Sequence, residues 1–173
     1  MRRARQVKLN GILRKLRSEN FEDVIDAGTS FYKYDDAPLN PLLNIIKNNK
    51  NSLNREYASY ALISKMLDLE SKTIKKREGG LYPNKSKNDF HRREVQKIIK
   101  VLMWIIENDE SANVRAQALE TIGMSSAARS EKNRLLKRIE KCIIDALSHE
   151  THEVRFWACY AAGQLKIKNA LPK

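Results

Sequence analysis

The feature that most constrains this chain is a motif of about eleven residues that occurs three times. Its best copy is residues 153–163, EVRFWACYAAG, a second is 113–123, NVRAQALETIG, and a weaker third is 53–62, LNREYASYAL. In every copy an arginine is followed three positions later by an alanine: Arg55 and Ala58, Arg115 and Ala118, Arg155 and Ala158. The last two copies lie about forty residues apart, and self-similarity at that period is the signature of a solenoid of helix pairs.

The remaining chain can be divided around these motifs. Each repeat is predicted to hold an apolar first helix, a turn and a second helix that carries the motif, in segments 37–70, 90–125 and 131–168. Residues 1–36 are predicted to form a degenerate cap pair, with helices at about 5–18 and 21–34. A terminal pair is normally atypical because it closes the stack. Residues 169–173 are similar to the start of another repeat, which predicts either an unfinished cap or a longer parent chain.

A basic insertion interrupts the period at residues 71–89. The first two motif copies lie about sixty residues apart, so about twenty residues have been added between them. Gly79-Gly80 and Tyr82-Pro83 exclude an uninterrupted helix through this segment. The segment is therefore either a basic loop or two lengthened helices that form a projecting hairpin. Insertions in repeat proteins often carry the binding function.

Charge and cysteine content narrow the class of protein. The formal net charge is +12, which favours polyanions, acidic partners or anionic surfaces. Cys142 and Cys159 form no CxxC motif and no cysteine-rich framework, which predicts reduced thiols in a cytoplasmic protein. The basic N-terminus is followed by no signal-type apolar region. No run of eighteen apolar residues exists, so we expect no membrane span.

The order of apolar helix, turn and Val-Arg-x-x-Ala-x-x-x-x-Gly resembles the HEAT repeat in its short bacterial form. The resemblance covers residues 37–70, 90–125 and 131–173. It implies an all-α, armadillo-like fold: one domain over 1–173, built as a right-handed HEAT-like α-solenoid of about four antiparallel helix pairs.

The family resemblance also implies a ladder along the stack between the turn aspartate of one repeat and the motif arginine of the next helix. The arginines here are Arg55, Arg115 and Arg155. The aspartate is present only as Asp109, and the equivalent positions hold Asn49 and His149. The implied ladder is therefore incomplete.

HEAT arrays mostly grip other macromolecules, and the resemblance implies that the second helices line the concave groove. Helical geometry places five residues opposite the core on those helices: Glu56, Tyr60, Glu120, Phe156 and Tyr160. This groove is aromatic and mildly acidic, and exposed aromatic residues are typical of protein-binding surfaces. The first hypothesis is therefore a non-catalytic scaffold or adaptor that binds another protein and needs no cofactor.

Nucleic-acid binding is the alternative hypothesis. The N-terminal helix is basic, and the insertion with the start of the next helix holds eight cations: Lys72, Lys75, Lys76, Arg77, Lys85, Lys87, Arg92 and Arg93. Such side chains can contact phosphates, and Tyr82 and Phe90 could stack on bases. A solvated basic surface with no ligand is the plain alternative.

An enzyme is the third hypothesis, because a minority of HEAT-like proteins are alkylpurine DNA glycosylases. Trp104 and Asp109 could hold a base and stabilise positive charge, although Asp109 is better explained as the turn aspartate. His149 and His152 are spaced i, i+3 in a turn, whereas zinc proteases need i, i+4 on a helix. Cys142 lies on an apolar stripe, where a free thiol is commonplace. We therefore predict no catalytic residue and no metal site.

Overall fold

In the computed structural model, the described residues are 2–31, 39–78, 85–125, 128 and 134–170. Within them the chain forms eight α-helices and no strand, so the all-α prediction is confirmed. The helices are α1 (Arg2–Lys15), α2 (Phe21–Ser30), α3 (Leu39–Asn48), α4 (Ser52–Glu78), α5 (Lys85–Asn108), α6 (Ala112–Met124), α7 (Arg134–Ala146) and α8 (His152–Leu165). A 3-10 turn, Lys168–Ala170, follows α8.

The chain divides into two compact units, Met1–Asp68 and Leu69–Lys173. In the first unit α1 packs on α2, and Leu16, Val24 and Phe31 are fully buried. Gly28 allows a close approach between α2 and α4, because a Cβ there would lie 2.9 Å from the carbonyl oxygen of Tyr57. The helices of the first unit are therefore held together by buried apolar side chains and by the close contact of α2 with α4, which requires a glycine at position 28.

The second unit stacks two helix pairs. Helix α5 packs on α6 and α7 packs on α8, while α5 also contacts α7 and α6 contacts α8. First helices thus lie against first helices and second helices against second helices. At the α6–α8 crossing, a Cβ on Gly123 would lie 3.0 Å from the Cα of Ala161, so glycine permits the close contact.

The helices flanking the basic insertion are longer than a repeat requires. Helix α4 continues to Glu78 and α5 begins at Lys85, as in the alternative of two lengthened helices. The backbone of α4 therefore includes Lys72, Lys75, Lys76 and Arg77, and that of α5 includes Lys85 and Lys87. The predicted turn at 79–84, with Tyr82, lies outside the described residues.

The motif arginines all bind the turn that precedes their own helix. Arg55 donates from one terminal nitrogen to the carbonyl oxygens of Asn49 and Lys50, at 2.9 and 3.1 Å. Arg155 makes the same pair of bonds to His149 and Glu150, at 2.7 and 2.6 Å. Arg115 donates through Nε to the carbonyl oxygen of Asp109. The arginine therefore satisfies carbonyls at the end of the first helix, which have no partner within that helix.

In all three repeats the residue at the turn-aspartate position accepts a hydrogen bond from the backbone of its own turn. Asp109 accepts from the backbone N–H of Ser111 at 2.9 Å, and Asn49 does the same for Asn51 at 2.9 Å. His149 accepts through Nδ1 from the N–H of Thr151 at 3.1 Å. Each turn therefore needs a side-chain acceptor three residues before the first residue of the next helix, and asparagine, histidine or aspartate can each supply it.

His149 also faces the arginine of the preceding repeat. Its Nε2 lies 2.9 Å from a terminal nitrogen of Arg115. Arginine only donates, so Nε2 would have to accept while Nδ1 also accepts from Thr151. A neutral imidazole has one acceptor nitrogen and an imidazolium has none, so both contacts cannot be hydrogen bonds at once.

Replacing His149 with aspartate is therefore expected to stabilise the protein by about 0.5–1.5 kcal/mol. One carboxylate oxygen would accept from Thr151, as Asp109 does from Ser111, and the other would pair with Arg115. Urea unfolding followed by circular dichroism measures the change. His149→Asn is the matched control, since it keeps the acceptor without the charge and should gain less. Equal stability of the two variants at low salt would contradict an ionic contribution.

Candidate binding face on helix α8

Helix α8 has one buried face and one open face. Val154, Ala158 and Ala161 are fully buried, with the three-to-four residue spacing of a helix stripe. Phe156 points away from this stripe and is 62% exposed, which is unusual for a phenylalanine. The open face of α8 therefore presents an aromatic side chain in its first half.

Three aromatic rings form a cluster on this helix, which we call the α8 aromatic cluster: Phe156, Trp157 and Tyr160. The ring centroids of Phe156 and Trp157 lie 5.2 Å apart at an interplanar angle of 84°. Those of Trp157 and Tyr160 lie 5.3 Å apart at 81°. Edge-to-face packing of this kind is favourable, so Phe156 is held in place although it is exposed. Trp157 is half-buried and bridges the other two rings rather than lying wholly in the core.

The predicted protein-binding residues are distributed over both units. Phe156 and Tyr160 belong to the α8 aromatic cluster, and Tyr160 also covers Gly123. Glu120 on α6 is half-buried and accepts from Gln117 Nε2 at 2.8 Å. In the first unit, Tyr60 is 42% exposed and Glu56 is half-buried, with the pKa of Glu56 raised by its burial.

The described cations of the second unit lie mainly on its first helices. Arg92, Arg93 and Lys100 are exposed on α5. Lys137 and Arg138 are exposed on α7, which packs against α5. Two further lysines are paired locally: Lys97 with Glu94 at 2.5 Å, and Lys141 with Asp145 at 3.1 Å. Each of these ion pairs neutralises one lysine on its helix, and the other exposed cations of α5 and α7 keep both helices positively charged.

The two thiols differ sharply. Cys142 is buried, its Sγ lies 3.8 Å from the carbonyl oxygen of Met103, and burial raises its pKa to about 12. At neutral pH it is a thiol rather than the thiolate that acts as a nucleophile. Cys159 is exposed on α8. Cys142 is therefore a core side chain, and Cys159 is the thiol available for labelling.

Of the residues considered for chemistry, Asp109 and His149 lie in turns, whereas His152 is the first residue of α8 rather than a turn residue. The carboxylate of Asp109 is buried and accepts from the turn backbone, and His152 Nε2 lies 3.1 Å from Glu153 Oε1. Among the described residues, no group of three or more His, Cys, Asp and Glu side chains could hold a metal ion. In the same part of the chain, no helix is both long and apolar enough to cross a membrane.

The stacked pairs of the second unit define the class: a protein of repeated helix pairs. A family model described as HEAT repeats matches residues 99–173, from the middle of α5 through both motif-bearing helices. This part of the chain, residues 99–173, is therefore similar to HEAT repeats. HEAT repeats are commonly protein-interaction scaffolds. None of the curated proteins matches the chain.

Proposed function

We propose that this chain is a non-catalytic scaffold or adaptor of the cytoplasm that binds another protein. The α8 aromatic cluster supports this proposal most directly, because its rings are fixed yet partly open to solvent. Trp and Tyr are enriched among the residues that dominate binding energies, and aromatic anchors lose little conformational entropy on binding. Glu120, in the same unit, would supply an additional contact to the partner, and Glu56 and Tyr60 are proposed as separate protein contacts of the first unit.

Phe156 is the residue expected to contribute most. Burying an exposed phenylalanine contributes roughly 1.5–3 kcal/mol, which corresponds to about a tenfold or larger change in affinity. Because Phe156 is already exposed in the free protein, its removal should change folding stability little. Tyr160 is a poorer test residue, since it also packs over Gly123.

The proposal can be tested by crosslinking in cells. A photoreactive amino acid at Gln164, an exposed position on α8, should give a discrete protein adduct. Phe156→Ala should reduce that adduct about tenfold, whereas Lys137→Ala, on an exposed site of α7, should leave it unchanged. Adducts that are insensitive to Phe156→Ala would overturn the proposal.

Nucleic-acid binding is the second candidate, favoured by the exposed cations on the packed helices α5 and α7. Fluorescence anisotropy with labelled duplex DNA, single-stranded DNA and RNA would test it. Binding that survives physiological salt and is lost in an Arg92→Glu, Arg93→Glu variant would support a phosphate-binding surface. If binding to all three probes is lost equally at physiological salt, the net charge of +12 provides only nonspecific electrostatic attraction.

A further inference from the structure

The residues of α6 that lie in its contact with α8 have equivalents at the same motif positions on α8. By the period of about forty residues, Arg115, Ala116 and Gly123 on α6 correspond to Arg155, Phe156 and Gly163 on α8. On α6 all three positions are covered. Arg115 contacts His149, Ala116 is 6% exposed, and Gly123 meets the backbone of Ala161.

On α8 the three corresponding positions are open. Arg155, Phe156 and Gly163 are all exposed, as is Cys159 between them. No atom of the described residues lies within 4 Å of the place where a Cβ of Gly163 would be. We call these four residues the α8 docking face. It lies one repeat later in the chain than the equivalent residues of α6, which are covered.

We infer that the α8 docking face receives an acidic amphipathic α-helix of another protein, in the way that α6 receives α8. This inference rests on the proposed function and specifies its partner. The partner helix would cross at Gly163 as α8 crosses at Gly123. A carboxylate near its start would bind Arg155, in the place that His149 takes beside Arg115.

The shape of the docking face fits a helix. A glycine within a helix costs about 1 kcal/mol relative to alanine, and no contact among the described residues makes use of the space at Gly163. Gly163 and the small Cys159 leave a low region beside the exposed ring of Phe156. A second backbone could approach closely there, and Phe156 would be buried at its edge.

Charge favours an acidic occupant over a second copy. The guanidinium of Arg155 is positioned by its bonds to two turn carbonyls, and Lys166 and Lys168 are exposed at the end of α8. Glu150 and Glu153 lie near Arg155 at the start of α8, and Glu153 is next to His152. A second copy would bring its own net charge of +12 to this face, and like charges oppose association.

The inference is tested with three fluorescein-labelled, stapled helical peptides of about 20 residues, which span about 30 Å. They share one apolar stripe and carry acidic, neutral or basic polar faces. Anisotropy at physiological salt should show the acidic peptide binding about tenfold more tightly than the neutral one, and the basic peptide not binding. Arg155→Gln should remove most of this preference, whereas Lys137→Gln, which removes the same charge from α7, should not.

Gly163→Ala separates docking from general charge attraction. The added methyl should weaken binding of the acidic peptide about tenfold while the free protein becomes no less stable. Gly11→Ala is the matched control, because no described atom lies within 4 Å of its Cβ position on α1 either, and it should leave binding unchanged.

Several results would overturn the inference. If Gly163→Ala leaves the affinity for the acidic peptide unchanged, the binding would reflect net charge alone. A dimer in sedimentation that Phe156→Asp converts to a monomer would make a second copy the occupant. A parent chain extended beyond residue 173 that no longer binds the peptide would make its own segment the occupant. If no peptide binds but Phe156-dependent adducts form in cells, the helix inference fails while the proposed function stands.

Discussion

Replacing Asn54 with aspartate is expected to destabilise the first unit by about 3–5 kcal/mol at neutral pH. Asn54 is 2% exposed, and its Nδ2 donates to the carbonyl oxygens of Leu16 and Ser18, each at 3.0 Å. These carbonyls follow the end of α1, where the helix itself supplies no donor. Aspartate has nearly the same shape but only accepts, so a buried charge would face two carbonyl oxygens.

Urea unfolding at several pH values measures this effect. Facing two carbonyls, the new carboxylate would have a folded-state pKa above its value near 3.9 in the unfolded chain, about the ordinary aspartate value. The penalty should therefore be complete at neutral pH and should shrink as pH falls through the raised folded pKa toward the unfolded value. Asn54→Leu removes both donors without adding charge, so it should cost less at neutral pH and show no such pH dependence. Equal losses for both variants at neutral pH would contradict the role of charge.

Gly123→Ala and Gly163→Ala are expected to change stability in opposite directions, although each replaces the glycine that ends a copy of the same motif. A Cβ on Gly123 would lie 3.0 Å from the Cα of Ala161 and 3.2 Å from two ring carbons of Tyr160. Because a backbone atom cannot move alone, α8 must shift. Overpacking should cost about 1–3 kcal/mol, more than alanine's higher helix propensity returns.

Gly163→Ala should instead stabilise the free protein by about 0.5–1 kcal/mol, since the added methyl meets no described atom and alanine favours the helix. Denaturant midpoints with unchanged slopes would report both effects as changes in stability. A loss in both variants would mean that α8 tolerates no side chain at either position. A gain in both would mean that the α6–α8 crossing can open without cost.

Much of the fold could be predicted from the sequence because helical periodicity fixes which residues share a face. The motif spacing predicted helix pairs, and the helical period accounts for the stripe of Val154, Ala158 and Ala161, which is buried. Asp109 could be assigned to a turn because the motif places it between two helices. The exposed position of Phe156 follows from the same geometry, since it lies opposite that stripe.

Tertiary structure alone decided what each face meets. Ala116 and Gly123 occupy the same motif positions as Phe156 and Gly163, yet the first two are buried and the last two are exposed. Periodicity within one helix encodes the direction of a side chain, whereas burial depends on a second helix that packs from elsewhere in the chain. The sequence therefore predicted the repeat and its core, and only the packing of α8 on α6 separated a covered face from an open one.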